Sequence, residues 1–166
     1  MALHRIPLLG NALSKSAAAY WAPYSAYNAS TVRDIGVWIF QDAATGTVSV
    51  GFAVPKNWVA GSTKLVLEWS SKTAAGNVVW NVTHRAAATA IMNTNTSPAS
   101  RTDALTTSSK PGSASRLEED AITLTDTDWA VDSFVAMDII RLGSDGSDTK
   151  TDSAVLFGAV LEYADS

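Results

Sequence analysis

Residues 48–85, VSVGFAVPKNWVAGSTKLVLEWSSKTAAGNVVWNVTHR, decide the fold. Val48, Val50, Phe52 and Val54 alternate with Ser49, Gly51 and Ala53, the period of a half-buried strand. Pro55 ends that run, since it brings no N–H to a ladder and fixes its own φ. A turn over 57–62 leads to a second alternation, with Leu65, Leu67 and Trp69 on one face and Lys64, Val66, Glu68 and Ser70 on the other. After a polar turn at 71–77, Val78, Trp80, Val82 and His84 alternate in a third strand. Three successive strands with apolar inward faces predict one antiparallel sheet that a second layer must cover.

Upstream, the run 32–43 places Ile35, Val37 and Ile39 on one side and Trp38 and Phe40 on the other, apolar on both faces. Ala44-Thr45-Gly46 then reads as a tight hairpin with Gly46 at positive φ. A short aromatic strand at 20–24 carries Pro23, which suits a sheet edge. Downstream, 86–92 either prolongs the third strand or makes one helical turn. A long polar loop spans about 93–116, with a short strand near 101–107. Further strands fall at 117–125, 133–142 and 154–163. About eight strands, turn signals between them and no helical period predict an all-β antiparallel sandwich, jelly-roll-like, as a single domain over 20–166.

Residues 1–19 read as an extended N-terminal arm. Leu3, Ile6, Leu8, Leu9 and Leu13 are too apolar to leave in water, while Pro7 and Gly10 deny the arm a regular element and break any signal-peptide core. The arm is expected either to contact a partner subunit or to pack on its own domain. The strands at 32–43 and 133–142, apolar on both faces, point to a homo-oligomer, with a trimer favoured.

The balance of −4 and the scatter of the twelve basic residues exclude an electrostatic nucleic-acid face. No stretch is long and apolar enough to span a membrane as a helix. Without cysteine there is no disulfide, thiolate site or Cys nucleophile. Only 17% of residues are charged, compatible with a surface packed against neighbours in an assembly.

Sites of chemistry are few. Asp145, Asp148 and Asp152 crowd one loop (144–152) and could in principle hold Ca²⁺, but Asp-Gly is also what a hairpin turn uses. Asp126, Asp128 and Asp132 pose the same choice. His84 and His4 have no second ligand nearby, and Glu68, Glu118 and Glu119 are not placed as an opposed pair for glycoside hydrolysis. With no nucleophile elbow, phosphate loop or zinc-protease helix, no catalytic, cofactor or metal residue is assigned, and a non-enzyme is expected. Trp58 and Trp129, at strand ends, are candidate surface aromatics for stacking sugar rings, or else plugs for the ends of the sandwich.

Phe52-Ala53-Val54-Pro55-Lys56-Asn57-Trp58-Val59-Ala60-Gly61, Leu65-Val66-Leu67-Glu68-Trp69, Gly76-Asn77-Val78-Val79-Trp80 and the closing segments 139–145 and 156–163 resemble small β-sandwich virion proteins of tailed bacteriophages. The resemblance implies a capsid decoration (cement) protein, or a head-fibre or tail accessory part. Its partners would be copies of itself and the major capsid protein or another virion protein. Its place would be the virion, assembled in the host cytoplasm. The alternative is a carbohydrate- or receptor-binding module of a phage tail or head fibre.

Overall fold

The computed structural model describes residues 2–23, 36–87, 101–108 and 116–165. Among these the chain forms eleven strands and one 3-10 turn. They are β1 (Leu3–Pro7), the turn Leu9–Asn11, β2 (Leu13–Ser14), β3 (Ala19–Pro23), β4 (Gly36–Phe40) and β5 (Thr45–Ala53). There follow β6 (Lys64–Ser71), β7 (Val78–Ala87), β8 (Arg101–Ser108), β9 (Glu118–Thr123), β10 (Phe134–Leu142) and β11 (Ala154–Ala164). Two antiparallel sheets pack face to face as a jelly-roll-like sandwich. The first has the order β3-β4-β11-β6-β9 with β1 also on β11, the second β2-β5-β10-β7-β8.

The strands of 48–85 are present, but they do not form one sheet. β5 and β7 flank β10 in the second sheet, and β6 lies between β11 and β9 in the first. Pro55 and the 57–62 turn send the chain across the sandwich instead of back along the same layer. β6 shows why: Val66 and Ser70 on its outer face are buried beside β11 as fully as Leu65, Leu67 and Trp69 on its inner one, which suits a central strand. From β4 to β7 the chain changes sheet at each turn, and it does so again from β9 to β11.

Between the sheets, Trp80 packs edge-on against both Phe40 and Trp69, at ring separations of 5.1 and 6.0 Å. Val48, Val50, Val82, Val135, Met137, Ile139, Leu156 and Leu161 complete this centre. On the outer side of the first sheet, Ala22, Val37, Ile39 and Val155 make a second cluster with Phe157 against it. The outward apolar residues of β4 are therefore covered by the chain itself.

Residues 2–19 are not a detached arm. β1 runs antiparallel to β11 from Leu3↔Ala164 to Pro7↔Val160, so Pro7 occupies the last position of an edge strand. The Leu8 N–H donates to Ala159 O at 2.8 Å and its side chain joins the main core, with Ile6 and Leu9 packed on that core. Leu3 and Leu13 stay exposed, at 63% and 71%. The hairpin before β5 also differs from expectation. Ala43 takes the positive φ (55°), and Gly46 lies in β5, where a Cβ would press on Phe40 at 2.9 Å.

Candidate functional site

Trp58 and Trp129 close one end of the sandwich. Trp129 is 5% exposed and packs against Phe52, His84 and Trp58 at ring separations of 5.5, 5.4 and 6.1 Å. Trp58 is half-buried, and its indole N–H donates to Thr63 Oγ1, which donates in turn to Asp126. Trp129 is thus no surface platform, and Trp58 spends its polar edge inside the protein. Their plug role follows from burial.

His84 is buried against this plug. The Trp129 indole N–H donates to Nδ1 at 3.3 Å, so Nδ1 is the unprotonated nitrogen and Nε2–H faces Asp103 Oδ2 at 2.8 Å. Burial alone would raise the Asp103 carboxyl, but hydrogen bonds from Thr125 (hydroxyl and backbone N–H) and from His84 hold it below the usual carboxylate range. Both imidazole nitrogens are occupied by protein, which leaves neither for an outside ligand.

The acidic loops are structural in the same sense. Asp148 accepts two parallel bonds from the buried Arg141 guanidinium (3.0 and 2.9 Å) and one from the Val79 N–H. Asp152 accepts from the Thr73 N–H, and Asp145 from the Ser147 N–H in its own turn. Asp126 binds the Gly61 N–H, and Asp128 pairs with Arg101 at 2.6 Å. Among the described residues no three His, Asp or Glu side chains converge on a point where a metal could sit.

The outer face of the second sheet is different, because its polar groups face solvent. Cross-strand register lines up Leu13, Ser49, Asp138, Thr83 and Thr102 in one row across β2, β5, β10, β7 and β8. The next row, Gly51, Ala136 and Arg85, has almost no side chain on β5 and β10. Beyond it stands Phe134, whose ring covers Gly51 so closely that a Cβ there would lie 2.4 Å from Cζ. Small residues between two taller rows leave a hollow of about 290 Å³ lined by Lys15, Thr83, Arg85, Ala136 and Asp138. Lys15 Nζ donates to both Asp138 oxygens (3.0 and 2.8 Å) and Ser49 Oγ to one of them at 2.6 Å. Lys15 and Ser49 thus set donors on either side of the Asp138 acceptor on this open face.

Sequence reasoning passed over these residues. The signal was Asp138, a carboxylate set between Met137 and Ile139 in an apolar strand. What the alternation could not supply was Lys15, brought from the N-terminal segment. Another surface aromatic was also missed: Trp21, 60% exposed on β3.

No family model matches this sequence, and no curated protein matches it. Solved structures do match in shape. An isomalto-dextranase of Arthrobacter globiformis T6, solved with panose, superimposes at a TM-score of 0.50 and 15% identity over 96% of this chain. The match spans 23% of that enzyme's chain. The likeness is one of fold. A family 11 carbohydrate-binding module from Clostridium thermocellum, in complex with a β-1,3-1,4-mixed-linked tetrasaccharide, matches at 0.43 and 11% identity, over 96% of this chain and 86% of that one. A module described for specific mannan recognition matches at 0.44 and 9%, over 98% of both chains. The match to the isomalto-dextranase supports the fold alone, and nothing in these comparisons bears on bacteriophage proteins.

Proposed function

We propose that this chain is a non-catalytic carbohydrate-binding module whose ligand lies across the outer face of the second sheet. The observation that carries the reading is the solvent-facing row Ser49–Asp138–Thr83, with Lys15 and Arg85 beside the hollow over Ala136. A saccharide presents hydroxyls that donate and accept, and here a carboxylate accepts while an ammonium, a guanidinium and hydroxyls donate. Phe134, 38% exposed on the same face with its ring over Gly51, offers the apolar contact that a ring's C–H face takes. An open tract across several strands suits an extended chain of sugars better than a compact cofactor, which binds in an enclosed pocket.

The test is a glycan array followed by calorimetry with the oligosaccharides that score. Asp138→Ala removes charge-assisted hydrogen bonds of about 1.5–3 kcal/mol each, so binding is expected to weaken at least tenfold while the circular dichroism spectrum is unchanged. Unaltered affinity in Asp138→Ala overturns the placement, and an array without a hit overturns the function.

A second reading, a decoration protein on a bacteriophage capsid, is favoured by the exposed Leu3 and Leu13 on the N-terminal edge strands. The copy number of the chain in purified particles decides it: hundreds on the head support decoration, and absence from the particle refutes it.

A further inference from the structure

Along one side of β11 the first sheet has a gap. β4 pairs with Ala154, Val155 and Leu156, and β1 with Val160 through Ala164. Between those stretches β11 carries an irregularity at Leu156/Gly158, and neither β1 nor β4 pairs with Phe157 or Gly158. Gly36 and Val37 run beyond the last β4–β11 pair and stay joined to β3, through Pro23 and Ala22. The two edges splay, and the 3-10 turn Leu9–Asn11 crosses beside the opening. What remains is a notch of about 340 Å³ lined by Leu9, Ala12, Trp21, Gly36, Trp38 and Phe157.

Trp21 stands on the rim. A Cβ on Gly36 would lie 2.5 Å from Trp21 Nε1 and 2.9 Å from Cε2 and Cζ2, so the indole rests on bare backbone and is held there while remaining 60% exposed. Trp38, 8% exposed, lies deeper in the same opening. Among the described residues neither indole N–H has a hydrogen-bond partner, and no charged side chain lines the notch. The site therefore offers an apolar aromatic wall without a charged side chain. That set suits a neutral molecule with one apolar face. A sugar ring has that chemistry.

We propose that the notch is a second saccharide site, independent of the groove, which seats one neutral sugar ring against Trp21. It takes the ligand class from the proposed function but shares none of the groove's residues. The experiment titrates the full chain with neutral tetrasaccharides of the gluco, manno and galacto series, reading tryptophan fluorescence and heat. It runs alongside the variants Trp21→Ala, Trp21→Phe and Ala136→Trp, the last of which fills the groove. The expected result is saturable quenching that survives in Ala136→Trp, is weakened at least tenfold in Trp21→Ala and is partly restored in Trp21→Phe. Trp21 is mostly in solvent, so the substitution leaves the fold intact. If Trp21→Ala binds as the parent does while Ala136→Trp fails, the notch is refuted and the groove stands. If no tetrasaccharide binds the parent or any variant, both sites fall.

Discussion

Arg141 is fully buried beside the 143–153 loop, and replacing it tests the electrostatic account of how that loop is held. All five guanidinium N–H groups are used. Two go to the Asp148 carboxylate at 3.0 and 2.9 Å, and the others to Phe40 O (3.2 Å), Asp152 O (2.9 Å) and Lys150 O (3.1 Å). Arg141→Met keeps much of the volume but strands the Asp148 side chain, itself 0% exposed, and three backbone carbonyls. Breaking a buried pair from one side costs about 3–5 kcal/mol, mostly as the penalty of the charge left behind. For a domain of this size that converts to a fall in Tm of roughly 6–20 °C. Thermal and urea unfolding followed by tryptophan fluorescence measure it, and Arg141→Lys, with charge but no fork, should fall between. The decisive comparison is Arg141→Met with Asp148→Leu. Removing both charges together should cost several kcal/mol less than the sum of the two single changes. A loss below about 1 kcal/mol for Arg141→Met, or strict additivity in the pair, would refute the reasoning.

Two further outcomes follow from the same geometry. Deleting residues 1–12 removes β1 from the edge of β11 and Leu8 from the core, so the urea midpoint should drop by the equivalent of at least the ~1.5–3 kcal/mol of one buried leucine, and unchanged stability would mean that β1 is dispensable. Asp103, held below its ordinary range, and Asp128, lowered mainly by its hydrogen bond from Arg101, both titrate at lower pH when folded than when unfolded. Between the two values the unfolded chain binds more protons, so this stability is fully present above the unfolded pKa, ~3.9, and is lost as pH falls through the folded one. Asp103→Asn should flatten that acid limb in a pH series of urea midpoints; an unchanged limb would exclude Asp103 as its source.

The strands themselves were legible because period 2 is a local property. β5, β6, β7, β10 and β11 stand within a few residues of where alternation puts them. Which sheet each joins was not legible, because pairing is decided by residues far along the chain. Val66 and Ser70 gave the only hint that β6 is central, and a valine and a serine on an outer face are also common on a solvated one. Pro7 and Gly10 argued against structure in the N-terminal segment, yet a proline at the end of an edge strand removes no ladder bond. The groove suffered in a different way. Ser49 and Thr83 are unremarkable outward residues, and with Asp138 they become a row only through register across three strands. The tryptophans misled because position at a strand end says nothing of burial: Trp129 is sealed by its hydrogen bond to His84, and Trp21, mid-strand at a sheet edge, is open.

β1 lies antiparallel to the far end of β11, which places Ala2 beside Asp165, their backbones joined by a hydrogen bond of 3.1 Å. Tension applied between these two ends does not shear the β1–β11 ladder. It opens the ladder like a zip, starting at Leu3↔Ala164 and proceeding towards Pro7↔Val160, with each step opposed by hydrogen bonds worth about 0.5–1.5 kcal/mol apiece. The edge strand yields first and at low force, while β6 stays on the other side of β11. Drawn at these two points, the chain would lengthen by β1, lifting Ile6 off the core, before β11 parted from β6.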